Sequence, residues 1–142
     1  MTIQVSIRAD VGPLQRFAAK LRRSPAVVRE AVTEMATEAL RLVQESFDKE
    51  QSPDGRKWRP TKAGNRPILV RTGRLRGGFT VSRGALGFTI INRVGYAVYH
   101  QGGTRRMVAR PMLPKQGRLP AGWQRSINGK ARAVFRRRFG RG

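Results

Sequence analysis

Residues 24–49 read SPAVVREAVTEMATEALRLVQESFDK, and this stretch decides the fold. Ser24 followed by Pro25 is a helix start, because proline at the first helical position gives up only an N–H that would have no partner there. Beyond it Val28, Val32, Met35, Ala39, Leu42, Val43 and Phe47 trace one apolar stripe at helical spacing. The spacing predicts a helix from Pro25 to Lys49, long enough to lie across a small sheet. Its other face carries Glu30, Glu34, Glu38, Arg41, Glu45 and Asp48. Carboxylates four residues apart would suit a metal or an acid–base pair, but no histidine or other ligand set accompanies them. The row therefore reads as a solvated face or as a docking surface for a basic neighbour.

Working outward, residues 2–9 place Ile3, Val5 and Ile7 on one side and Thr2, Gln4, Ser6 and Arg8 on the other, the period-two pattern of a half-buried strand. Gly12-Pro13 then opens a short helix with Leu14, Phe17, Ala18 and Leu21 on one face, ending at Ser24. Downstream of the long helix, residues 51–67 hold three prolines and two glycines and predict a long loop. Trp58 sits in it among Arg56, Lys57 and Arg59. An aromatic among cations suits stacking on bases, but an anchor holding the loop on the core is the stronger reading. Phe79, Val81, Phe88 and Ile90 alternate on either side of residues 83–87 and predict an antiparallel hairpin. Periodicity leaves residues 95–103 open between a strand and a helical turn, and Met107, Val108, Met112 and Leu113 bring the chain back to the core.

These elements predict an α+β fold: an antiparallel sheet of three or four strands with the long helix packed across one face. Residues 1–114 form the expected core domain and 115–142 a basic C-terminal extension. Within the extension Ile127, Ala131, Val134 and Phe135 make a helical stripe beside Arg125, Lys130, Arg132 and Arg136-Arg137-Arg138. Nine bases and no acid occur there, so the helix is expected to order only when a counter-charge arrives.

Charge narrows the function. The chain has 142 residues with 30 Lys plus Arg against 8 Asp plus Glu, a net +22. All eight acids precede residue 55, so residues 1–54 balance to zero and residues 55–142 carry the whole surplus. Arginine, at 24 of the 30, is the cation suited to bidentate phosphate or carboxylate contacts. A body of this charge repels itself, which implies a polyanion or an acidic partner surface in the working state. Cysteine is absent and His100 is the single histidine, which removes thiolate chemistry and most histidine-based zinc sites. No apolar run reaches membrane-spanning length, and the first ten residues alternate instead of forming a signal-peptide core. The chain is expected to work in the cytosol or inside a particle.

Five ordered blocks carry a family resemblance: Ser46-Phe47; Ser52-Pro53-Asp54-Gly55-Arg56-Lys57-Trp58; Leu69-Val70-Arg71-Thr72-Gly73-Arg74-Leu75-Arg76; Tyr96-Ala97-Val98-Tyr99-His100-Gln101-Gly102-Gly103; and Ala109-Arg110-Pro111-Met112-Leu113. Together, over roughly residues 27–113, the chain resembles the virion morphogenesis family of tailed bacteriophages, also called the tail completion or head–tail joining family. The resemblance implies a small non-enzymatic α+β protein that works as a ring at the neck or the head-proximal end of the tail. It places the protein in the virion, and in the host cytoplasm during assembly. Two departures stand out: Met112 where relatives often place an aromatic, and a strongly basic end where many relatives have a mixed or acidic helix.

The residues expected to meet partners are Arg71, Arg74, Arg76, Arg105 and Arg106, with Arg136, Arg137 and Arg138 as a second group. Their expected partners are copies of the chain in a homo-oligomeric ring, neighbouring neck or tail proteins, and packaged double-stranded DNA gripped through its phosphates without base readout. Trp58 is the expected loop anchor. No catalytic, cofactor or metal residues are expected, and no membrane partner. The glycine- and arginine-rich stretch 70–78 lacks the Gly-Lys-Ser/Thr ending of a nucleotide loop. His100, far in sequence from any acid, reads as a packed or hydrogen-bonded imidazole. The competing reading is a general nucleic-acid-binding protein that uses Trp58 and the basic tail.

Overall fold

The computed structural model describes residues 2–8, 23–64, 67–70, 72–84, 87–115 and 119–140. The short helix expected within 12–23 lies outside them for nearly all its length. The described elements are β1 (Ile3–Arg8), α1 (Pro25–Lys49), α2 (Arg74–Gly77), β2 (Phe79–Arg83), β3 (Gly87–Asn92), α3 (Ala97–Gly102) and α4 (Ala121–Phe139). The fold is α+β, as the patterns predict.

The sheet has three antiparallel strands in the order β1-β3-β2, so the hairpin partner β3 sits in the centre and the N-terminal strand pairs with it. Val5 lies opposite Ile90 across one ladder and Val81 opposite Ile90 across the other. Along β3, burial alternates: Phe88, Ile90 and Asn92 point into the core, and Thr89 and Ile91 are half-buried on the outer face. There Ser6 and Thr89 hydroxyls lie 2.8 Å apart.

α1 runs its predicted length. Ser24 contributes its carbonyl to the N–H groups of Val27 and Val28. The helix closes at Glu50, which takes a left-handed φ of 51° while the Gln51 N–H reaches back to the Ser46 carbonyl. Met35, Ala36, Ala39, Val43 and Phe47 are buried along it. α1 packs against β2 and β3 on one side and against α4 on the other.

α4 packs onto the core. Trp123, Ile127, Ala131, Val134 and Phe135 are all buried and belong to the same apolar cluster as α1 and the sheet. The apolar face of residues 121–139 thus contributes to the core. The counter-charge that the basic run needs comes from within: Arg137 bridges Glu30 and Glu34 at 2.9 Å each, and Arg138 bridges Glu30 at 2.8 Å. Glu30, Glu34 and Glu38 of the acidic row are a docking surface whose neighbour is the chain's own last helix.

Candidate functional site

The sequence blocks converge on one junction. The turn at 52–56 closes through Ser52 N–H to Arg56 O, and Trp58 N–H then returns to Glu50 O at 2.8 Å. This turns the indole inward. Trp58 is 5% exposed, meets the Phe47 ring edge-on at 5.3 Å, and donates its Nε1–H to Pro111 O at 3.0 Å. Next to it Arg110, also buried, donates from Nε to Arg59 O and from Nη2 to Pro60 O. Gln101, at the end of α3, clasps the same returning segment: its Oε1 accepts from Met112 and Leu113 N–H, and its Nε2 donates to Leu113 O. Residues 95–103, left open by periodicity, are helical from Ala97 to Gly102. Gly103 ends this helix with φ +72°, and a Cβ there would sit 2.8 Å from Ala109 N.

The block around α2 joins from the other side. Gly73, φ +77°, caps α2, and Thr72 Oγ1 accepts from Arg74 N–H. At Gly78 a Cβ would lie 2.9 Å from the Val94 side chain. Asn92, fully buried, ties α2 to the sheet by donating to Leu75 O and accepting from Val94 N–H, both at 2.9 Å.

Among residues of 61–70, α2 and α3 lies a cleft of about 1300 Å³. Leu69, Val70 and Leu75 form apolar wall; Arg74, Arg110, Tyr96 and His100 supply its polar groups. Leu69 is held at φ +64°, a left-handed conformation uncommon for a branched side chain. His100 Nδ1 is buried without a hydrogen-bond partner among the described residues, and the ring is packed, as expected, edge-on to Tyr96 at 5.9 Å. Burial, and secondarily the charge of Arg110, push the imidazole pKa below its ordinary value.

Each of the seven described carboxylates is already engaged inside the chain. Glu30 and Glu34 hold Arg137. Glu38, buried, accepts from Arg41 and from Ser126 Oγ of α4 at 3.0 Å. Glu45 takes Lys49 and Arg41, and Asp48 takes Arg76. Glu50 accepts from Ile68 N–H, and Asp54 pairs with Arg56. The hydrogen bond from Arg41 holds the Glu38 pKa below the usual carboxylate range against the opposing effect of burial, and Arg137 does the same for Glu30. What is left over is cationic.

The predicted contact residues therefore divide. Arg74, Arg105, Arg106 and Arg136 are exposed and make no ion pair among the described residues. Arg76 is drawn inward: it donates to Gln44 Oε1 and Asp48 Oδ1 at 2.6 Å each and lies 5.7 Å over the Phe47 ring. Arg137 and Arg138 are spent on α1. Arg71 lies outside the described residues. The burial of Trp58 removes the aromatic on which the base-stacking alternative relied. Sequence reading missed the Gln101 clasp, the buried Arg110 and the cleft; the only signal was that Gln101 and Arg110 fall inside quoted blocks. Among the described residues no group of three or more His, Cys, Asp or Glu could hold a metal ion, and no helix is long and apolar enough to cross a membrane.

The model of the phage virion morphogenesis family matches residues 9–129, reaching beyond the quoted blocks at both ends and well into α4. No curated protein and no solved structure matches the chain.

Proposed function

This chain belongs to the phage virion morphogenesis family, with a structural or assembly role among other virion proteins, and from that premise we propose that it is a non-catalytic ring subunit at the neck or head-proximal end of the tail, needed for tail completion or head–tail joining. The observation that carries the reading is the internal use of the acids. With every described carboxylate occupied within the chain, the surplus behind the net +22 stands on the surface at Arg105, Arg106 and Arg136 and at the cleft in Arg74. Salt screens repulsion between such bodies, and a polyanion or an acidic neighbour relieves it directly. In a ring around the DNA path, outward arginines meet phosphates of any sequence, which suits cargo whose passing bases are arbitrary.

Negative-stain imaging of the purified protein, alone and mixed with tails lacking it, tests this. Rings, or tails newly capped and able to join heads, are the expected result. A monomer that binds duplex DNA tightly and never associates with tails would support the general nucleic-acid-binding reading instead.

A further inference from the structure

The cleft lined by residues from 61–70, α2 and α3 combines a cationic and an apolar wall. Its ionic groups among the described residues are all cationic, Arg74 and Arg110. Arg110 is oriented in advance, because the Arg59 and Pro60 carbonyls hold two of its nitrogens while the third has no hydrogen bond among the described residues. His100 brings a buried Nδ1 with unspent hydrogen-bonding capacity. The facing wall is apolar at Leu69 and Val70, and Leu69 is kept in a strained backbone region that costs stability and persists where the surroundings enforce it. Tyr96, 38% exposed, closes one side with its ring edge-on to His100.

We propose that this cleft receives an extended segment of a different virion protein, one that sets an apolar side chain on Leu69 and Val70 and a neighbouring carboxylate on Arg74 and Arg110. A segment carrying both kinds of group matches the two walls. A second copy of this chain is a poor source, because its seven described carboxylates are already bound. Duplex DNA is a poor fit as well, since an apolar wall offers nothing to a phosphate backbone. The identity of the partner as a virion protein rests on the proposed function; the chemistry of the cleft does not.

The probe is a labelled hexapeptide alternating glutamate and leucine, set against hexaglutamate, in 0.15 M salt to screen plain surface attraction (Debye length about 8 Å). Three chains are compared: wild type, Arg74→Gln, and Arg125→Gln, which removes a charge from the exposed side of α4. The expected result is tighter binding of the mixed peptide than of hexaglutamate by about tenfold, equivalent to about 1.4 kcal/mol. Arg74→Gln should weaken it at least fivefold and Arg125→Gln less than twofold, and the ring resonances of the cleft-lining His100 should shift on titration. Equal losses from the two variants, or a preference for hexaglutamate, would overturn the proposal. In phage complementation, Arg74→Gln should melt like wild type yet enter particles poorly. If it enters as well as wild type, the cleft proposal fails while the virion role stands. If wild type itself never enters particles, the proposed function fails, and the peptide measurements alone decide the cleft.

Discussion

Trp58 joins three stretches of chain at once: the loop that carries it, Phe47 at the end of α1, and Pro111 in the returning segment. Replacing it with alanine should cost about 3–5 kcal/mol, the usual penalty for truncating a buried aromatic. Trp58→Phe should recover most of that and still lack the indole hydrogen bond, worth about 0.5–1.5 kcal/mol. Thermal melts of the two variants check the order, and duplex binding by material that remains folded should be unchanged. His100 gives a pH signature. Its pKa is lowered in the fold by burial first and by Arg110 second, so the folded state favours the neutral ring. The stability this contributes is complete above the ordinary histidine value of about 6.5, and is lost as pH falls through the lowered one. Wild type should therefore lose melting temperature between pH 7 and 5 more steeply than His100→Gln. Sequence favoured Trp58 as an anchor because a lone aromatic in a proline-rich loop has more to gain from burial than from exposure. It could not show the unpartnered imidazole nitrogen, which depends on how α3 and the loop come together.

α4 is docked by two kinds of contact of unequal weight. Its ion pairs join the exposed Arg137 and Arg138 to the half-buried Glu30 and Glu34, and solvent-screened pairs of this kind contribute little to stability. Its buried side chains contribute more per residue. Ile127→Ala or Phe135→Ala should thus destabilise by about 2–5 kcal/mol, whereas Arg137→Gln with Arg138→Gln should cost well under that; chemical denaturation separates the two cases. Acid should act on the polar side. Glu30, held low by Arg137, and Glu38, held low by Arg41, give stability that is present above the ordinary carboxylate value of about 4.3 and lost as pH falls through their lowered values. In a Trp58→Phe background, Trp123 emission should report α4 loosening in that acid range. Both faces of this pairing were legible as patterns, an acidic row on α1 and a basic amphipathic stripe near the other end. Their meeting was not, because period-3.6 patterns state which face seeks a partner and not which partner it finds. The sheet was easier: hairpin residues lie close in sequence, so local pattern and tertiary contact coincide.

At the scale of the whole molecule, repulsion among unpaired cations opposes a few screened ion pairs. Raising sodium chloride from 0.01 to 0.15 M shortens the Debye length from about 30 to about 8 Å, which should raise the melting temperature of this +22 chain; a fall would mean that internal pairs outweigh surface repulsion. The α1–α4 contact also has a timetable. Seventy-one residues separate Lys49 from Ala121, so at about 5–20 residues per second of synthesis α1 leaves the ribosome roughly 4–14 s before its covering helix exists. For that interval a nascent chain displays a greasy stripe edged by glutamates, and a translation product stopped before residue 121 displays it permanently, as a body primed to stick to whatever basic surface is nearest.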